Sequence, residues 1–116
     1  MNAFKAYLVI VVLVVGGYTA VTVADHGMTL YGVFFGDMLE MAWPGQFNLD
    51  FLFMLFFSGF WIAWRHGFSP AGLALGFGGA MLGAPYLAVY LLVQIQRTDG
   101  DVPALLLGPE RRHVTV

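Results

Sequence analysis

The sequence predicts an all-α integral membrane protein, with three transmembrane helices and a short interfacial helix between the first and second. Three observations predict it. Of 116 residues, 59% are hydrophobic and 10% charged, with a mean hydropathy of +0.78, whereas soluble domains carry roughly 25% charged residues. Residues 6–24, "AYLVIVVLVVGGYTAVTVA", contain no charge, and neither do residues 67–96. A core of this chain length cannot hide so much apolar surface from water, so lipid is expected to be part of the solvent.

The first span is residues 6–24, about 28 Å long as a helix and close to the thickness of a bilayer's hydrocarbon layer. A secretory signal is the competing reading, with Lys5 as its basic start and "TVA" before Asp25 as a cleavage site. The apolar run is long for that. Asp25, His26 and Gly27 end the helix, Gly27 being suited to a left-handed cap. In the following "MTLYGVFFGDMLEMAWPG", Gly32, Gly36 and Glu40 recur every fourth residue, with Asp37 near the same side. Tyr31, Phe34, Phe35, Met38 and Met41 cover the rest, a pattern that suits either a helix lying in the membrane interface or an ordered loop. Trp43 would sit at headgroup level.

Pro44 and Gly45 read as a break. Asn48 then reads as an N-cap, with Phe47 and Leu52 placed for a hydrophobic staple. The second span, 49–64, is short for a full crossing and ends at Arg65, His66 and Gly67. Ser69 and Pro70 restart a helix as N-cap and N1. From there the uncharged stretch reads as one long, tilted third span, kinked at Pro85 and closed by Arg97. Residues 1–97 thus form a transmembrane domain. Residues 98–116, "TDGDVPALLLGPERRHVTV", form a polar tail around a small leucine patch, too short for a fourth span. Lys5 before the first span, and a following loop with Asp25, Asp37 and Glu40 but no Lys or Arg, favour a cytoplasmic N-terminus in a plasma (inner) membrane. Three crossings would then leave the tail outside.

Few residues offer chemistry. With Asn48 as N-cap, Asp50 would be the second residue of its helix, where unpaired N–H groups and the helix dipole favour a carboxylate. Asp50 is read either as an anchoring group or as a polar contact for a ligand or partner. Gly72, Gly76, Gly79 and Gly83 are spaced +4, +3, +4 and lie on one face of a helix, forming two GxxxG units. Such a face packs closely on something. Candidates within the chain are Gly16, Ala20 and Ala24 on the first span and Gly59 and Ala63 on the second; another subunit or a flat ligand is the alternative. The chain has eleven Phe, five Tyr and three Trp. Among them Phe57, Phe60, Trp61 and Tyr86 could wall an apolar ligand or partner, or simply face lipid.

Several function classes are excluded. A net charge of −2 gives no electrostatic basis for nucleic-acid binding. The absence of cysteine removes disulfides, thiol catalysis and cysteine-based metal sites. His26, His66 and His113 all fall outside the middle of a span, so no metal site is expected, nor any intrinsic cofactor. "TDGD" has only the opening of a calcium loop, without its later ligands. No nucleophile–base pair or phosphate-cradling loop is present.

Tyr7-Leu8, His26-Gly27, "FNLDFL" around Asp50, Phe60-Trp61 and the closing "GAPYLAVYLLVQIQR" together resemble a family of small bacterial three-span membrane proteins known as a domain of unknown function. The resemblance covers residues 5–97. It implies the three-span architecture and carries no catalytic residues. The expected function is a non-catalytic accessory or assembly subunit of a larger membrane complex, packed on other subunits or on itself through the glycine face. The alternative is a small binder or carrier of a quinone, isoprenoid, carotenoid or lipid.

Overall fold

The computed structural model describes residues 2–108, and among them every regular element is an α-helix. In order these are α1 (Asn2–His26), α2 (Leu30–Leu39), α3 (Trp43–Arg65), α4 (Pro70–Leu82), α5 (Ala84–Arg97) and α6 (Val102–Leu107). Two of them, α1 with 25 residues and α3 with 23, are long and apolar enough to cross a membrane. Among the described residues no third helix is that long and apolar.

α1 runs past the predicted 6–24 at both ends and stops at Gly27, which adopts φ 68° as a left-handed cap. The following segment is the helix α2 and not an ordered loop. α3 starts six residues earlier than expected. Its N-cap is Ala42, in extended conformation, and Pro44 occupies the first turn, where no backbone N–H is needed. The Pro-Gly pair therefore opens a helix rather than interrupting the chain. At 1.5 Å per residue, α3 is about 35 Å long and not short for a crossing. Gly45 is required here for closeness: a Cβ would collide with the Asp37 carbonyl and come within 2.8 Å of Met38 Cα. α2 thus lies directly on the start of α3.

The third predicted span is cut at Gly83. This residue has φ 77° and ψ −150°, a conformation open essentially to glycine, and it separates α4 from α5. Pro85 lies in the first turn of α5, so it begins a helix instead of kinking one. The direction also reverses. α4 runs back along α3, with Gly72 against His66 and Gly83 against Phe51 and Leu55. Seven residues beyond Gly83, Tyr90 is again beside Trp61, Arg65 and His66. Residues 67–97 therefore leave and return to the same end of the molecule, with Gly83 at the apex.

Within the segment expected as a polar tail, α6 folds back and buries Ala104 and Leu105. Leu105 joins Leu8, Ala88 and Ile95 in a small core, flanked by Val11, Val12, Leu91 and Leu92. α1 packs on α5 through this cluster, while α2, α3 and α4 pack as a second group. Arg111, Arg112 and His113 lie outside the described residues.

Candidate functional site

The glycine face of α4 packs on α3 of its own chain. Gly72, Gly76 and Gly79 are buried, and so are Gly59, Ile62 and Ala63 opposite them. A Cβ on Gly59 would come within 2.5 Å of the Gly76 carbonyl oxygen, and one on Gly76 within 2.5 Å of the Gly59 carbonyl oxygen. The two backbones touch reciprocally, which only hydrogen in place of a side chain allows. Gly79 faces Ile62 Cδ1 at 2.9 Å, and Gly83 faces Phe51 Cζ at 3.1 Å, measured from where a Cβ would stand. The partner stripe is therefore Gly59 and Ala63. Gly16 on α1 has nothing within 4 Å and takes no part. The face is filled, and no groove remains in it for a second subunit or a flat ligand.

The residues expected to form a polar contact with an aromatic wall do not meet. Asp50 is not near the start of its helix; it is exposed, seven residues after Trp43, and makes no hydrogen bond or ion pair among the described residues. The cap chemistry assigned to Asn48 is used elsewhere. Its amide donates to the Phe34 carbonyl at 3.1 Å and to Asp37 Oδ2 at 3.4 Å, tying α3 to α2. Phe57 is 72% exposed. Phe60 pairs edge-on with Phe68, while Trp61 turns toward Tyr90 and α6. Tyr86, in the first turn of α5, packs against α4, its hydroxyl donating to the Leu75 carbonyl at 2.7 Å. Phe60, Trp61 and Tyr86 thus engage different partners, and Phe57 is left exposed.

What does converge is a polar cluster at the end of α3. Arg65 is 5% exposed, and every donor group of its side chain is engaged. Nε donates to the Leu105 carbonyl at 2.8 Å, Nη2 to the Ala104 carbonyl at 3.2 Å, and Nη1 to the Tyr90 hydroxyl at 3.2 Å. Trp61 Nε1 donates to the Leu106 carbonyl at 3.0 Å. The last carbonyls of a helix lack partners within it, and three of the last four in α6 are met by side chains of α3. A buried cation normally needs a carboxylate. Among the described residues, neutral oxygens and the Tyr90 ring, 5.8 Å from the guanidinium carbon, take that place. Gly108 closes the assembly, since a Cβ there would stand 2.8 Å from the Arg65 carbonyl oxygen.

Tyr90 links Arg65 to His66, whose Nε2 is 2.7 Å from the phenol oxygen. With Arg65 donating to that oxygen, the phenol proton is free to go to a neutral imidazole. Partial burial, then the charges of Arg65 and Arg97, lower the pKa of His66 below its ordinary value. The cluster is thus built around one cation, not two. Among the described residues no group of three or more His, Cys, Asp or Glu is placed to hold a metal ion.

In the sequence Arg65 stood out only as the end of a span, His66 was weighed as a metal ligand and set aside, and Tyr90 was given no role of its own. The available signal was weak: an Arg-His pair closing one apolar helix, and a tyrosine within the next apolar stretch. Gly78 was missed as well, although a Cβ there would be 2.6 Å from the Tyr86 hydroxyl. No family model, no curated protein and no solved structure matches the chain.

Proposed function

We propose that the protein is a non-catalytic integral membrane subunit that docks on a larger membrane complex through α1. The observation that carries this reading is how little of α1 its own chain uses. Only Leu8 is buried along its 25 residues, and contact with the core ends near Val12. Beyond that, Leu13 is 68%, Val14 63% and Tyr18 77% exposed, and neither Gly16 nor Gly17 has a neighbour within 4 Å. In water so long an apolar surface would drive aggregation. In lipid it is stable, and small residues along it permit close approach by another helix. The glycine face of α4, occupied by α3, is no longer available for this role.

On this reading α1 and α3 cross the membrane, and residues 67–97 form a re-entrant hairpin. Lys5, Arg65 and Arg97 then share one side, while the opposite side carries Asp25, Asp37 and Glu40. Cytoplasmic loops carry the excess of Lys and Arg, so the N-terminus and residues 98–108 are both cytoplasmic, rather than on opposite sides.

The test is extraction in mild detergent from native membranes, followed by native gel electrophoresis. Wild type is expected in a complex larger than the single chain. The double variant Gly16→Leu, Ala20→Leu should release it as a monomer with unchanged melting. Wild type running as a monomer, or the variant remaining in the complex, would refute docking through α1.

A further inference from the structure

We propose that a cavity between α2, α3 and α4 binds the methyl end of a membrane lipid chain, acyl or prenyl. The proposal rests on α3 crossing the membrane. The cavity measures about 130 Å³ and is walled by Tyr31 and Phe34 from α2, Phe51 and Leu55 from α3, and Ala80 and Met81 from α4. No charged side chain lines it, and the Tyr31 hydroxyl is the one side-chain oxygen on its walls.

Two properties identify the occupant. The first is shape: the pocket opens to the surface beside Tyr31, Phe51 and Met81, each about half exposed. Its apolar space has room for the end of a hydrocarbon chain entering from that side but offers a headgroup no polar partner beyond the Tyr31 hydroxyl. A quinone ring would need hydrogen bonds that these walls do not supply. The second is depth. Leu55 stands twelve residues after Trp43 and ten before Arg65, near the middle of α3. A helix that crosses the bilayer puts its middle at the midplane, where the methyl ends of lipid chains are found and their headgroups are not. An apolar void leaves its lining without dispersion contacts, and a chain end restores them. Met81 is unbranched and 44% exposed, so the wall it contributes can adjust to the chain.

The experiment uses the full chain in phosphatidylcholine vesicles. One arm contains phospholipid with a diazirine at the methyl end of an acyl chain, and a second a polyprenol with a terminal diazirine. A control arm has the diazirine beside the acyl carbonyl. After irradiation, mass spectrometry locates the adducts. A methyl-end probe of either kind is expected to label Phe51 and Leu55 several-fold more than the exposed Phe57 and Leu13, and the carbonyl-side probe is not. Met81→Trp, which fills the cavity from a half-exposed position, should bring that labelling down to the level of Phe57. Phe34→Ala, which enlarges the cavity, should preserve or raise it. Equal labelling of Phe51, Leu55 and Phe57 by both methyl-end probes, or enrichment that survives Met81→Trp, would overturn the proposal. If neither probe labels any of these residues, Leu13 included, it is the crossing by α3 that fails, and the proposal with it.

Discussion

Arg65 is a buried cation whose partners, among the described residues, are all neutral oxygens, so its replacement should be costly. It joins the end of α3 to α5 through Tyr90 and to α6 through two carbonyls. Arg65→Met would leave those oxygens without their charged donor, at a cost of about 2–4 kcal/mol. Amide exchange should show the loss first in residues 102–107. Protection there unchanged from wild type would mean that α6 docks without Arg65. His66 gives a pH dependence whose sign follows from its lowered pKa. The unfolded chain takes up a proton near pH 6.5, while the folded chain resists it until lower pH. Stability from this group is therefore fully present above about pH 6.5 and declines as pH falls toward the folded value. Unfolding by denaturant between pH 7.5 and 5 should show the decline in wild type and a flatter profile in His66→Gln. Asn48 shows why such sites resist reading. Its amide chemistry is equally suited to capping a helix and to bonding a distant carbonyl, and the chain uses it for the second.

At the scale of elements, glycine and proline set the boundaries, each by a different means. Ser69 and Pro70 were legible as a helix start because their action is local; the Ser69 hydroxyl accepts from the Gly72 N–H at 3.1 Å. The glycine stripe was legible as a packing face because the +4, +3, +4 spacing depends only on helix geometry. Its partner was not, since two small-residue stripes within the chain were on offer, besides another subunit or a flat ligand, and nothing in the periodicity selects among them. With Gly59 and Gly76 in backbone contact, Gly76→Leu cannot be accommodated by a rotamer change. It should destabilise the fold by about 3 kcal/mol or more, measured by thermal unfolding in detergent. Gly83→Ala tests the break separately. A side chain at φ 77°, ψ −150° is strained by about 1–3 kcal/mol, and melting as wild type would show that α4 and α5 are not divided as described.

Over the whole molecule the outcome that matters is the reversal at Gly83. A proline in an apolar stretch of thirty residues reads as a kinked third span, with residue 98 on the side opposite the N-terminus. The hairpin brings it back. Single cysteines at positions 2, 27 and 98, introduced into this cysteine-free chain, distinguish the two topologies through labelling by a membrane-impermeant maleimide on intact and opened cells. Positions 2 and 98 should react alike and 27 oppositely. Reaction of 98 together with 27 would restore three crossings. The same reversal gathers Lys5, Arg65 and Arg97 at one end, where three crossings would have left Arg97 on the side opposite Lys5.

The sequence by itself determined that the chain is helical, that its first apolar stretch is long enough to span a membrane, where α4 begins and which face of α4 packs tightly. These follow from composition and from interactions within about one helical turn. Only the tertiary structure decided that α3 fills the glycine face, that Arg65 is buried under α6, that Asp50 is exposed on α3, and that the chain doubles back at Gly83. The physical reason is the same in each case. Periodicity defines a surface without naming what covers it, and a glycine with positive φ permits a reversal as readily as a bend. The choice was made by contacts between residues 14 to 45 positions apart, such as Asn48 with Phe34, Arg65 with Leu105 and Trp61 with Leu106.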